Sequence, residues 1–145
     1  MTTRSKNPEI RSIINSLETE NSEYEILLPG KQLSPEWLEA NFPIAWWGRI
    51  DWQQVSSGEC YQWNTETEAA DYFHEICQKK EIENPIVVIA WTNALNPEIK
   101  LRLEAVKKHL LAILQADLDT WIMCPSDKWV IEMYHEGEMC FGKSE

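Results

Sequence analysis

Residues 85–91 read Pro-Ile-Val-Val-Ile-Ala-Trp, an unbroken apolar run rich in β-branched side chains. A strand with one solvated face alternates polar and apolar residues, whereas a continuous run fits a strand covered on both faces. The run therefore asks for a central strand, and the rest of the chain must supply a layer on each side of it. At 145 residues the chain is long enough for one domain with a single core.

Helix starts are marked by a recurring cap. Asn7-Pro8-Glu9-Ile10 and Asn96-Pro97-Glu98-Ile99 are identical, and Ser34-Pro35-Glu36-Trp37 is a variant. Each offers a capping side chain, a proline at the first helical position and an acid in the first turn. Thr65-Glu66-Thr67-Glu68 reads as a capping box before Ala69, Tyr72, Phe73, Ile76 and Cys77. From Pro97 to about Ala116, Ile99, Leu103, Val106, Leu110, Ile113 and Leu114 recur at helical spacing, with Glu104 set four residues before Lys108. Tyr24–Leu28, Asp119–Cys124, Lys128–Tyr134 and Glu138–Phe141 read as strands. The turns between the last three come from Pro125-Ser126-Asp127 and from Glu136-Gly137, a two-residue hairpin. Residues 46–63 mix strand pieces with turn residues. The expected fold is a single α/β domain over 1–145. It has a mixed sheet with helices packed on it and a C-terminal antiparallel meander.

Catalytic signatures are absent from the sequence. There is no Gly-rich phosphate loop, G-x-S-x-G elbow, H-E-x-x-H or calcium loop. Cys124, His135 and Cys140, with Cys60 or Cys77, offer donor atoms, but spacings of eleven and five residues match no ligand knuckle. His74 and Cys77 sit three apart on a helix, yet Cys77 falls on its apolar face. Neither a cofactor nor a metal is expected, and the protein is read as a non-enzyme.

Charge and aromatics carry the functional signal. Twenty-four acids against thirteen bases give a net charge of −11, which repels nucleic-acid phosphates and anionic membranes and favours a basic protein partner. No apolar run reaches the length of a membrane span, and the N-terminus lacks the apolar core of a secretory signal. A cytoplasmic location is expected, with four free thiols. Eight tryptophans are more than a core of this size readily holds, so some should reach the surface.

Two stretches concentrate these features. In the C-terminal meander, Trp121, Met123, Trp129, Ile131 and Met133 are assigned one face, and Ile122, Val130, Glu132, Tyr134, Met139 and Phe141 the other. Glu132 lies among apolar neighbours, where an unpaired carboxylate is costly, so it calls for a basic group. The second stretch, Pro43-Ile44-Ala45-Trp46-Trp47-Gly48-Arg49-Ile50-Asp51-Trp52, holds three tryptophans in seven residues. The expected partner contacts are Glu132, Tyr134, Glu136, Asp119, Asp51 and Trp47.

Pro43–Trp52 and Asp119–Gly142 resemble the immunity proteins of bacterial polymorphic-toxin and contact-dependent growth-inhibition systems. The resemblance implies inhibition by occlusion: an acidic, aromatic-rich surface binds a cognate toxin domain, often a basic nuclease. The acids of this chain are spread along it, which leaves the toxin's type open. The alternative reading is a non-catalytic small-ligand-binding or regulatory domain with a Trp-lined pocket.

Overall fold

A computed structural model describes residues 6–144 of the chain. In order, the elements are α1 (Pro8–Thr19), β1 (Tyr24–Leu27), α2 (Ser34–Asn41), a 3-10 turn at Trp52–Gln54, β2 (Glu59–Gln62) and α3 (Glu66–Lys79). Then follow β3 (Ile86–Trp91), β4 (Glu98–Arg102), α4 (Leu103–Lys108), α5 (Leu110–Gln115), β5 (Thr120–Cys124), β6 (Trp129–Tyr134) and β7 (Glu138–Lys143). The seven strands form one sheet in the order β1-β4-β3-β5-β6-β7-β2. The α/β class and the β5–β7 meander are as expected. Every pairing is antiparallel, however, so the sheet is not mixed.

The Pro85–Trp91 run behaves as its composition requires. β3 sits between β4 and β5, with Val87, Ile89 and Trp91 on one face and Val88 and Ala90 on the other, all buried. Helices α1, α3, α4 and α5 cover the first face, through side chains such as Ile10, Ile13, Leu17, Phe73, Val106 and Ile113. On the second face lies a smaller core of Phe42, Ile50, Val88, Ala90, Met123 and Val130, covered by Trp37 and Leu38 of α2 and by Trp52 and Val55.

Local signals held at two of the four caps. Asn7 accepts from the backbone of Glu9 and Ile10 at 2.9 and 3.0 Å, and Thr65 and Glu68 complete the capping box. At α2 the first-turn amides are satisfied from elsewhere, as described below. Asn96-Pro97-Glu98-Ile99, identical to the first cap, does not start a helix. Residues 98–102 form β4, paired with β1 on one side and β3 on the other. Ile99 and Leu101 fit a strand period as well as a helical one, and two flanking strands decide between them. Asn96 turns its side chain to Asp117 (3.1 Å) instead of capping. The helix begins only at Leu103, where the Glu104 amide donates to Asn84 Oδ1, and it breaks at His109. Lys108 pairs with Glu20 and not with Glu104.

The meander faces also need correction. Cys124 pairs with Trp129 across four intervening residues, which puts Trp121 opposite Glu132 and Met123 opposite Val130. Ile122, Trp129, Ile131, Met133, Met139 and Phe141 therefore share the helix-covered face. The β6–β7 turn spans three residues, His135–Gly137, and not two. Finally, Cys60 and Cys140 lie directly opposite across β2 and β7 and form a disulfide, so only Cys77 and Cys124 are free, both buried. A contact eighty residues apart in sequence leaves no local spacing signal.

Candidate partner-binding surface

Glu132 lies in the middle of the sheet on the α2 side and is 0% exposed. Four donors close on its carboxylate. Arg49 Nε and the Trp52 indole reach Oε1 at 2.8 Å each, while the Ile50 amide (3.0 Å) and the Trp121 indole (2.9 Å) reach Oε2. Three of these donors come from residues 49–52, so one carboxylate fastens that irregular stretch to the sheet. Arg49 extends on to Glu138 through a 2.7 Å ion pair, and its guanidinium carbon lies 4.1 Å from the Tyr134 ring centre. Burial alone would weaken its hold on a proton. The charge of Glu132 and the hydrogen bonds to Glu138 and Glu132 outweigh burial and raise its pKa. The basic group that Glu132 calls for thus comes from the chain itself. Gly142 completes the fit, since a Cβ there would stand 2.6 Å from the Trp52 ring that packs over it.

The fastened stretch carries a small hairpin. Ile44 and Ile50 form an isolated antiparallel bridge, the Ala45 amide donates to Arg49 O at 2.7 Å, and the Gly48 amide donates to Ala45 O at 2.9 Å. Gly48 has φ +94°, which a side chain would make costly. This is a three-residue hairpin loop with glycine in the left-handed position. Its two leading residues are Trp46 and Trp47, 92% and 56% exposed, packed edge to face on each other at 5.4 Å. The β6–β7 turn repeats the design: the Gly137 amide donates to Tyr134 O, and Gly137 has φ +88°. Arg49, bound to both Glu132 and Glu138, ties the hairpin to the strands flanking that turn.

The remaining expected contacts lie around these turns in different states. Glu136 is exposed at the β6–β7 tip and has no ion-pair partner among the described residues. Tyr134 is half-buried under Arg49. Asp51, also half-buried, accepts from Gln54 at 2.9 Å. Asp119 is largely buried, and its Oδ1 meets both the backbone amide and Nδ1 of His135 at 2.8 Å. It joins the loop before β5 to the β6–β7 turn. At the same end of the sheet, Leu95 and Leu118 are exposed on loops that Asp117 ties together through Asn93 and Asn96. Arg49 and Trp46 fall inside the second stretch, yet neither is among the six contacts expected from the sequence. The Trp-Trp-Gly order at 46–48 is the signal that would have found the hairpin, because glycine closing a three-residue loop leaves the two residues before it at the tip.

Other chemistry at the surface is sparse. Cys77 is buried and its thiol is pushed up to about 11 by burial, which makes it a poor nucleophile. Cys60, Glu138 and Cys140 bring three donor atoms within 4.8 Å of one another, but the two sulfurs are joined to each other and Glu138 is held by Arg49. No helix of the described residues is long and apolar enough to cross a membrane.

No curated protein matches the sequence. The family model described as "CdiI immunity protein EcoliA0-like" matches residues 8–142, nearly the whole chain and both stretches that carried the resemblance. With the two loops and their aromatic tip in place, the chain belongs to the EcoliA0-like family of CdiI immunity proteins.

Proposed function

We propose that the protein neutralises a cognate toxin domain by binding it, without catalysis, through the end of the sheet that carries the Trp46–Trp47 hairpin and the β6–β7 turn. The observation that carries this reading is the pair of exposed indoles on a tip fastened to the core by Glu132 and Arg49. Large exposed aromatics on a rigid loop lose little entropy on docking and act as interface anchors. Trp47 and Trp46 are the anchors, Glu136, Tyr134 and Asp51 contribute to the rim, and Asp119 holds the rim loops in register. Glu132 serves binding by positioning the hairpin and does not touch the partner.

The net charge of −11 supports a basic toxin domain as the partner and disfavours direct nucleic-acid or membrane binding. The proposed site of action is the cytoplasm of the protected cell, a reducing compartment with which the Cys60–Cys140 disulfide is at odds. Hydroxyl-radical footprinting of the protein with and without the toxin domain tests the surface. Binding should suppress oxidation of Trp46 and Trp47 and leave α1 and α3 unchanged. Unchanged labelling of both indoles in a complex shown to be saturated would refute this surface.

A further inference from the structure

Beside the hairpin lies a cleft of about 210 Å³, whose lining includes Gly48, Leu38, Ala94, Trp91, Trp121 and Glu98. It has room for several waters of roughly 30 Å³ each, or for one long side chain. Glu98 is the feature that needs explaining. It is 3% exposed, and its Oε1 accepts from the Leu33 and Ser34 amides at 2.8 and 3.2 Å. Its Oε2 has only a 3.3 Å contact with the same Ser34 amide. Among the described residues no Lys, Arg or His lies within ion-pair distance. Glu132, equally buried, has a cation of its own. Glu98 has a cleft instead.

The rest of the lining suits a cation. Trp121, on the same α2-side face of the sheet, borders the cleft with a half-buried indole whose N–H is held by Glu132, whereas the Trp91 indole lies on the helix-covered face, bonded to Ile113 O at 2.9 Å. One indole beside a carboxylate attracts an ammonium or guanidinium more strongly than the carboxylate alone, most of all where water is excluded. We infer that this cleft receives one Lys or Arg side chain of the toxin domain, whose charge pairs with Glu98 while the Trp46–Trp47 hairpin docks alongside. The inference rests on the proposed function and deepens it, by stating what chemistry the partner must present next to the hairpin. Charge complementarity selects this occupant, since the field of an acidic chain draws in the one group that Glu98 lacks.

The test uses the free protein with n-butylguanidinium as the probe and 1-pentanol as a neutral alkyl control, followed by amide and indole NMR. Butylguanidinium should give saturable shifts at the Leu33 and Ser34 amides and at the Trp121 indole, and 1-pentanol should not. Glu98→Gln keeps an oxygen for the Leu33 amide, so the fold should survive, as its melting temperature will report. Binding should weaken at least about tenfold through loss of the charged pair. Ala94→Lys, which places a cation at the cleft's mouth without altering Glu98, should weaken the probe comparably. Shifts confined to Trp46 and Trp47, an equal response to pentanol, or undiminished binding by either variant would overturn the inference. A failed cleft with toxin binding still dependent on Trp46 and Trp47 would leave the proposed function standing.

Discussion

Glu132 and Glu98 are both carboxylates sealed against the α2 side of the sheet, and they are satisfied in opposite ways. Glu132 is surrounded by four donors, one of them the charged Arg49, and is the point where residues 49–52 join the sheet. Glu98 rests on two backbone amides and faces a cleft. A buried carboxylate with a full set of donors fixes structure, and losing one partner leaves the other charge stranded. Where the donors are few and space remains, the group keeps capacity for a ligand. The first arrangement fastens the base of the Trp46–Trp47 hairpin to the sheet, and the second leaves open space beside a carboxylate next to it.

The contrast can be broken most forcefully at Glu132. Glu132→Ala should destabilise the protein by about 3–5 kcal/mol, since it breaks the buried pair with Arg49 and leaves the Ile50 amide and two indole N–H groups without an acceptor. Chemical denaturation measures this, and a loss below about 1 kcal/mol would mean that the hub does not hold the hairpin. Next comes Cys140, opposite Glu132 in the β6–β7 register. Opening its bond to Cys60 by replacing both with serine should cost about 2–4 kcal/mol. In the parent protein, alkylation after denaturation without reductant should modify two cysteines, Cys77 and Cys124, and not four.

A smaller change sharpens the same point. Gly142→Ala pushes on the Trp52 ring that donates to Glu132, and should cost about 1–3 kcal/mol by overpacking. A neutral result would show that Trp52 can donate from another position. The smallest stability effect belongs to Glu98→Gln, below about 1 kcal/mol, because an amide oxygen still caps the Leu33 and Ser34 amides. A loss as large as that of Glu132→Ala would erase the distinction between the two carboxylates.

Much of this was legible in the sequence where one residue's neighbours decide its conformation. The β3 run, the Asn7 cap and the Thr65 box needed nothing from outside their own segments. What failed depended on distant partners. Asn96-Pro97-Glu98-Ile99 is chemically the same as the helix start at Asn7, and only pairing with β1 and β3 makes it a strand. The same pairing buries Glu98 and creates the cleft, so the site residue was hidden inside a misread helix. Glu132 was recognised as a carboxylate in need of a cation. Arg49, eighty-three residues away, could not be named as that cation from spacing. The face assignment of the meander turned on the four residues between Cys124 and Trp129, because one residue more or less reverses every side chain.

The proposed anchor for the toxin domain is the hairpin tip, held from below by Glu132 and Arg49. Calorimetric titration of that domain with the Trp46→Ala/Trp47→Ala double variant tests it most directly, because both indoles are exposed and their removal spares the core. The melting temperature should stay within a degree or so of the parent's. Affinity should fall by at least a hundredfold, equivalent to about 2.7 kcal/mol or more and typical of central aromatic anchors. An unchanged affinity at an unchanged melting temperature would contradict it.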